Sequence, residues 1–272
     1  MNLFRYISFR TGGALMTALA IYLAFGSRFI AYMRSKFQQP IRKEGPQTHL
    51  GKTGTPTMGG LLVIASVLAS CLLWSNLRNG YVWIMLFAMV SFGAIGFVDD
   101  FVKVAARNAY RGLSGRARLA MQSVLGLIIA GGIYFLMPSE LRTVVSVPFF
   151  KNIFWNIGIM YFLFVSLVIV ASANSYNLTD GVDGLAAITG ISAFAVFLAI
   201  SYLIGRADYS LYLYLPYVPG AGEAAVVIGA IVGSLLGFLW FNANPARIFM
   251  GDVGSLAVGS ALGVAAVVTK RD

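Results

Sequence analysis

Apolar runs of about 20 residues recur along the whole chain, and they limit its fold more than any other feature. A helix of that length crosses roughly 30 Å of hydrocarbon. Because hydrocarbon offers no partner for a free backbone amide, and because the runs are too long for barrel strands, they are predicted to be helices. The fold class expected is an all-α polytopic transmembrane helical bundle. Its eight candidate spans lie at 12–33, 58–76, 80–98, 118–137, 152–172, 184–204, 222–241 and 254–269.

Composition supports a membrane protein and excludes other classes. Only 11% of the 272 residues are charged and 58% are hydrophobic, whereas a soluble domain carries roughly 25% charged residues. The single cysteine, Cys71, cannot form an intrachain disulfide, and the single histidine, His49, excludes a multi-histidine metal site. The net charge of +10 fits membrane topology better than nucleic-acid binding, so no nucleic-acid partner is expected.

The basic residues predict how the chain is oriented. Arg5 and Arg10 precede the first span, and five basic residues follow it, which places the N-terminus on the extracytoplasmic side and the next loop in the cytoplasm. Alternation of the spans brings five acids to the cytoplasmic face, where we expect a shared site. These acids are Asp99, Asp100, Asp180, Asp183 and Asp252.

Two polar segments adjoin the second and third spans. The segment 52–60, KTGTPTMGG, offers Lys52 and backbone amides to a phosphate at a helix N-terminus, with an ordinary capped turn as the alternative. Asp99 and Asp100 end the third span, where two adjacent carboxylates near hydrocarbon repel each other and would be stabilised by a cation; a solvated helix end is the alternative.

Two more polar segments follow the fifth and seventh spans. In the first, acids and amides recur at every third residue, so a helical turn would align them in one stripe; they are Asn174, Asn177, Asp180 and Asp183. In the second, Asp252 lies between two glycines, where backbone can approach a ligand closely. A polar turn and a simple helix cap are the respective alternatives.

Together these loops indicate a phosphate site that contains Mg²⁺. Carboxylate and amide oxygens are the ligands that Mg²⁺ prefers, and Lys52, Lys103 and Arg107 are candidate phosphate partners. Phosphoryl transfer needs chiefly positioning and charge neutralisation, which such a site supplies. Its place at the level of the lipid headgroups predicts a lipid substrate.

Five motifs are specific enough to indicate a family. They are KTGTPTMGG at 52–60, GFVDD at 96–100, NLTDGVDGL at 177–185, PYVPGAGE at 216–223, and 241–256 with its ending FMGDVGSL. In these motifs the chain closely resembles the polyprenyl-phosphate N-acetylhexosamine-1-phosphate transferase family, over almost its whole length from Lys52 onward. The resemblance implies Mg²⁺-dependent transfer of phospho-MurNAc-pentapeptide from UDP-MurNAc-pentapeptide to undecaprenyl phosphate. The products would be lipid I and UMP, in peptidoglycan synthesis.

The resemblance also implies roles for residues at matching positions. Asp252 and Asn177 would hold Mg²⁺, Asp99 is the candidate base for the lipid phosphate, and Asp100 would complete the acidic site; the catalytic residues expected are therefore Asp99, Asp100 and Asp252. The substrate-binding residues expected are Lys52, Thr57, Lys103, Arg107, Asn174, Asn177, Asp180, Asp183, Asn242 and Phe249, the last of them near the uracil.

The resemblance further places the protein in the bacterial inner membrane, as a multi-pass protein with its active site on the cytoplasmic face. Membrane lipid is a further partner, and a homodimer is left open. Family members continue for about two more helices and carry a His-rich loop that the sequence lacks. We therefore expect one transferase domain over 1–272, with about eight of ten spans, that is inactive as this chain alone.

Two alternatives stay open. Within the same family, the donor would be UDP-GlcNAc, in a transferase that moves GlcNAc-1-phosphate to undecaprenyl phosphate. In a different class, an ion-coupled transporter would use its intramembrane acids to move cations. A transporter predicts acids near the middle of the spans, whereas these acids lie at span ends beside basic loops.

Overall fold

The computed structural model describes residues 3–36, 55–106, 112–146 and 154–270, and these residues are almost entirely helical. The helices are α1 (Ile7–Lys36), α2 (Gly60–Trp74), α3 (Gly80–Ala105), α4 (Gly115–Leu136), α5 (Met160–Thr179), α6 (Leu185–Ile204), α7 (Ala207–Leu213), α8 (Gly222–Asn242) and α9 (Gly251–Val268). Two short antiparallel strands, β1 (Val144–Ser146) and β2 (Phe154–Asn156), lie between α4 and α5.

Seven of the described helices are long and apolar enough to span a membrane, and α2 is a shorter apolar helix of 15 residues. Each of the eight predicted spans therefore corresponds to one helix, and the prediction of an all-α polytopic membrane protein is confirmed. The short helix α7 and the two strands were not predicted.

Three helix boundaries differ from the prediction in ways that affect the polar segments. The fifth span, predicted at 152–172, is Met160–Thr179, because 154–156 form β2. Asn174 and Asn177 thus lie in the last turns of α5 and not in a loop, and only these two members of the predicted stripe are helical. The third span extends to Ala105, so that Asp99 and Asp100 are helical residues, and α9 begins early enough to include Asp252 in its first turn.

The centre of the bundle is formed by α8 and α9, whose side chains are mostly buried. Glycine lets α1 approach α8 closely, since a Cβ atom on Gly233 would overlap the carbonyl oxygen of Leu15. A Cβ atom on Gly60 would likewise overlap the backbone of Gly254, which brings the start of α2 against α9. Within a membrane, such close packing of small residues replaces the hydrophobic effect as the force that joins helices.

A buried ion pair joins three elements at one end of the bundle. The guanidinium group of Arg10 on α1 donates to the carboxylate of Glu223 at the start of α8, with a distance of 2.8 Å for one of the two bonds. The same carboxylate accepts a hydrogen bond of 3.1 Å from the backbone N–H of Asn76, in the turn between α2 and α3. This end lies opposite the one that holds the acids, because α8 runs from Glu223 to Asn242.

Candidate active site at the ends of α3, α5 and α9

Three carboxylates meet where the end of α3 faces the start of α9. One oxygen each of Asp99, Asp100 and Asp252 lies within 4.8 Å of the others, although Asp252 is far away in sequence. Asp99 and Asp100 are 1% and 6% exposed, and Asp252 is partly exposed. The structure therefore brings together three of the five acids that we expected at one face.

Close helix packing creates this cluster. A Cβ atom on Gly96 would overlap the carbonyl group of Asp252, so only glycine at this position lets the first turn of α9 rest on α3. Gly96 is the first residue of the GFVDD motif, and it lies one turn before Asp99 and Asp100. Gly96 and the two acids of the motif thus all lie where α3 contacts the first turn of α9.

Asp99 and Asp252 are linked by a lysine. The Nζ atom of Lys103 donates to Oδ2 of Asp252 at 2.6 Å and also forms an ion pair with Oδ2 of Asp99, one helical turn away on α3. The backbone N–H of Leu113 donates to Oδ1 of Asp99 at 2.6 Å. Lys103, expected as a phosphate partner, thus lies directly within the acidic cluster.

A second cation reaches the same cluster. Nη1 of Arg118, in the first turn of α4, lies 3.7 Å from Oδ2 of Asp252 and 4.0 Å from Oδ2 of Asp99. Arg118 is not among the site residues expected from the sequence. Nothing in its local sequence separates it from Arg116 two residues before, so its place in the site follows only from the packing of α4 against α3.

Asp100 faces a different partner from its neighbour, as expected for adjacent helical residues. Its Oδ2 atom accepts a hydrogen bond of 3.2 Å from the backbone N–H of Val253. Gly251 adopts φ +76°, and a Cβ atom there would lie 2.5 Å from Oδ2 of Asp100 and 2.9 Å from Oγ1 of Thr57. This glycine is required both by its backbone conformation and by the lack of space.

Thr57 belongs to a segment that is bound to the start of α9 through the backbone. Gly59 N–H donates to Phe249 O at 2.8 Å, and Phe249 N–H donates to Pro56 O at 2.9 Å. The hydroxyl of Thr57 is buried, and among the described residues it has no hydrogen-bond partner. A buried hydroxyl without a partner is costly, so Thr57 is a candidate for contact with a bound ligand.

Asn177 connects α5 to the cluster. Its amide nitrogen donates to Oδ1 of Asp252 and to Oγ of Ser255, both at 2.7 Å. A carboxylate can only accept hydrogen bonds, so the contact with Asp252 fixes which end of the amide faces it. One turn earlier, the amide nitrogen of Asn174 donates to the side chain of Gln122 on α4 at 2.7 Å. This nitrogen therefore binds α4 and not the carboxylates.

Asp180 follows the end of α5 and lies near the cluster. Burial, together with the charges of Asp252 and Asp100, raises the pKa of Asp180 well above its usual range. The backbone N–H of Gly251 donates to Asp180 and opposes this shift in part. Asp180 is therefore protonated at a higher pH than an ordinary aspartate.

Asp183 and Asn242 bind the loop that precedes α9. Asp183 accepts a hydrogen bond of 3.2 Å from the backbone N–H of Ala246. Asn242, which is 2% exposed, accepts one from Gly184 N–H at 2.8 Å and donates to Ile248 O at 2.9 Å. Their polar groups thus hold this loop in shape, while the ring of Phe249 stays partly exposed. Lys52 and Arg107 lie outside the described residues.

A bundle of apolar helices with a carboxylate cluster and two cations at one end can serve phosphoryl transfer at a membrane surface. The family model for glycosyl transferase family 4 matches residues 82–270, more than half of the chain, and the chain belongs to this family.

A known relative indicates which kind of transferase within this family the chain resembles. The chain is 49% identical over 274 aligned residues to a phospho-N-acetylmuramoyl-pentapeptide-transferase of Dinoroseobacter shibae. The alignment covers 100% of this chain and 76% of that relative. All the described site residues from Asp99 onward fall within the region that matches the family model.

Proposed function

We propose that the protein transfers phospho-MurNAc-pentapeptide from its UDP carrier to undecaprenyl phosphate, which yields lipid I and UMP. The observation that carries this proposal is the meeting of Asp99, Asp100 and Asp252 with Lys103 at one end of a membrane bundle. The name of the Dinoroseobacter shibae relative supports the choice of the sugar peptide as the transferred group.

We propose that this cluster holds Mg²⁺. Its carboxylate oxygens lie within 4.8 Å of one another and are hard ligands of the kind that Mg²⁺ prefers. When bound, Mg²⁺ neutralises charge on the diphosphate oxygens of the donor and polarises the bond that breaks. The buried Thr57 hydroxyl beside Asp100 is a further oxygen that faces this region.

Within this site Asn177 supports Asp252 through its amide nitrogen, and the role of metal ligand expected from the resemblance would fall to its amide oxygen. The atom that Asn177 presents to Asp252 is an amide nitrogen, which has no free electron pair for a metal. Its hydrogen bond holds the carboxylate in place, as partners of metal ligands commonly do.

Lys103 and Arg118 neutralise the acids in the resting site and bind phosphate oxygens when the substrates enter. A phosphate monoester has a second pKa of about 6, so the acceptor is largely ionised at neutral pH and loses almost no proton to a base. An oxygen of the lipid phosphate attacks the phosphorus attached to the sugar, and the bond between the two donor phosphates breaks, which releases UMP. Asp99 orients Lys103 for this step through their ion pair.

The uridine end of the donor lies against the loop before α9. Asp183 and Asn242 fix this loop through backbone groups, and the ring of Phe249 stacks on the uracil. Lys52 and Arg107 remain the further phosphate partners that we expect, and Asp180 and Asn174 line the same side of the site. The site faces the cytoplasm of a bacterial inner membrane, and the chain forms one domain.

The test is release of UMP from UDP-MurNAc-pentapeptide and undecaprenyl phosphate, with and without Mg²⁺. We expect Mg²⁺-dependent release of UMP and formation of lipid I by the intact protein in detergent. A parallel reaction with UDP-GlcNAc distinguishes the second donor. Release of UMP from UDP-GlcNAc alone would replace the proposed substrate, and ion flux in proteoliposomes without any lipid product would replace the enzyme with a transporter.

A further inference from the structure

Gln122 is a fully buried polar residue on α4, two turns after the helix begins, and the proposed mechanism gives it no part. Its Oε1 atom accepts the hydrogen bond of 2.7 Å from Asn174, whereas its Nε2 atom has no hydrogen-bond partner among the described residues. A buried amide with an unpaired donor destabilises a protein, so stability alone does not favour glutamine at this position.

Asn174 connects Gln122 to the active site along α5. Asn174 and Asn177 are three residues apart on the same helix and therefore lie on the same face. Asn177 donates its two hydrogen bonds of 2.7 Å to Asp252 and Ser255 on α9. The end of α5 is thus bound on one side to α4 and on the other to α9.

Other contacts between α4 and α5 lie farther from the carboxylates. One turn after Gln122, a Cβ atom on Gly126 would lie 2.5 Å from Oγ of Ser166, which in turn donates to Ser123 O at 3.1 Å. These contacts hold the middle of α5 against α4. Nearer the last turn, the hydroxyl of Tyr176 donates to Ala186 O on α6 at 2.6 Å, so the contact of Asn174 with Gln122 is the side-chain bond that joins this end of α5 to α4.

We infer that Gln122 is a positioning residue for transfer: it fixes the last turns of α5 through Asn174, so that Asn177 faces Asp252. This inference rests on the proposed function. A displacement of about 1 Å at a reacting group can reduce the rate about 100-fold, so a single hydrogen bond at this distance from the chemistry has a measurable effect.

The first experiment replaces Gln122 with leucine in the intact protein. Gln122→Leu removes the unpaired donor, and Nδ2 of Asn174 keeps its hydrogen bond of 2.8 Å to Val170 O, so we expect a melting temperature equal to that of the wild type or higher. We also expect kcat for UMP release to fall about 10-fold or more, while KM for UDP-MurNAc-pentapeptide stays within about twofold. Gln122→Glu keeps an acceptor oxygen for Asn174 and should retain more of kcat than the leucine variant.

Ser66→Ala is the matched control. It also removes a buried hydrogen bond between helices, the 2.7 Å contact of Ser66 on α2 with Ser234 on α8, but it lies apart from the α4, α5 and α9 contacts. We expect it to leave kcat within about twofold of the wild type. If both variants reduce kcat equally, or if Gln122→Leu leaves kcat unchanged, the inference is overturned.

Two further measurements separate this inference from the proposed function. In the double variant Gln122→Leu with Asn174→Ala, kcat should be no lower than in the worse single variant, since both act through one contact. Binding of Mn²⁺ as a probe, followed by electron paramagnetic resonance, should weaken about 10-fold in Gln122→Leu. Unchanged Mn²⁺ affinity in Gln122→Leu overturns the positioning role, whether or not the wild type releases UMP. If the wild type releases no UMP, only the proposed function is overturned.

Discussion

Lys103 and Asp252 are separated by 149 residues, yet Nζ of the lysine lies 2.6 Å from Oδ2 of the aspartate. The lysine also pairs with Asp99 on its own helix, so one ammonium group joins α3 to α9. In our proposal, the cation that pairs with these two carboxylates in the resting protein also binds phosphate oxygens during transfer.

Asp252→Asn should reduce transfer more strongly than a change in a supporting residue. The variant keeps the shape of the side chain but removes the charge that pairs with Lys103 and binds Mg²⁺ in our proposal. We expect kcat to fall by more than about 100-fold, beyond the range typical of groups that only support a metal ligand. UMP release measures this, and Asp208→Asn, an exposed aspartate on α7, is the control. Wild-type activity in Asp252→Asn would contradict the proposed site.

Gly96→Ala should damage the site without altering any polar group. The added methyl group would overlap the carbonyl of Asp252, so α9 must move away from α3. We expect a lower melting temperature and loss of UMP release. Gly131→Ala on α4 is the control, because a Cβ atom there meets nothing within 4 Å and alanine favours a helix. Equal behaviour of the two variants would show that the contact at Gly96 is not needed.

Arg118→Ala tests the cation that the sequence did not single out. The guanidinium group lies 3.7 Å from Oδ2 of Asp252, so its loss should lower kcat by about 10-fold to 100-fold. Arg118→Lys keeps the charge and should recover part of the rate. Arg116→Ala, two residues before in the same exposed turn, should have the activity of the wild type. An equal loss in Arg116→Ala would assign the effect to the net charge of this turn.

Thr57→Val distinguishes a ligand contact from a structural one. The buried hydroxyl has no partner among the described residues, so its replacement by a methyl group should not lower the melting temperature. If the hydroxyl binds a substrate or Mg²⁺, UMP release should still fall. Full activity in a stable Thr57→Val variant would remove this residue from the site.

Glu223→Gln should affect stability and leave the chemistry unchanged. It removes the ionic partner of Arg10, whose side chain is 13% exposed and keeps a hydrogen bond to Trp74 O, so the loss should be smaller than the about 3–5 kcal/mol that follows removal of one member of a fully buried pair. Thermal unfolding in detergent should show this loss, while kcat per folded molecule stays the same. The exposed pair of Arg206 and Asp208 offers a contrast, since Asp208→Asn should not change the melting temperature measurably.

The class of fold and the location of the site were predictable from the sequence for physical reasons. Backbone that lies in hydrocarbon must form its hydrogen bonds internally, so a long apolar run forms a helix. The positions of these runs along the chain then bring Asp99 and Asp252 to the same end of the bundle. The limits of single helices were harder to predict. The polar residues Asn174 and Asn177 are typical of a loop. In the structure their side-chain amides hydrogen-bond to Gln122 and Asp252, and both residues lie within α5.

The partners within the site could not be predicted, because they depend on helix packing. Arg118 has the same local sequence character as Arg116, and Gln122 is one polar residue in an apolar helix. The contacts of both residues with the site depend on how α4 packs against its neighbours, α3 and α5. Asn242 and Asp183 bind backbone groups of the loop before α9, a role that their sequence did not reveal, while their contact with the substrate stays a prediction.

The close contact of Gly96 with the first turn of α9 has a consequence for biosynthesis. Helices leave the ribosome in order, so α3 enters the membrane long before α9 is made. During that interval Asp99 and Asp100 have neither Asp252 nor the N–H of Val253 beside them. Asp99 can already pair with Lys103 on its own helix, whereas Asp100 lacks this backbone donor, so the carboxylate cluster is completed in one late step, when α9 docks.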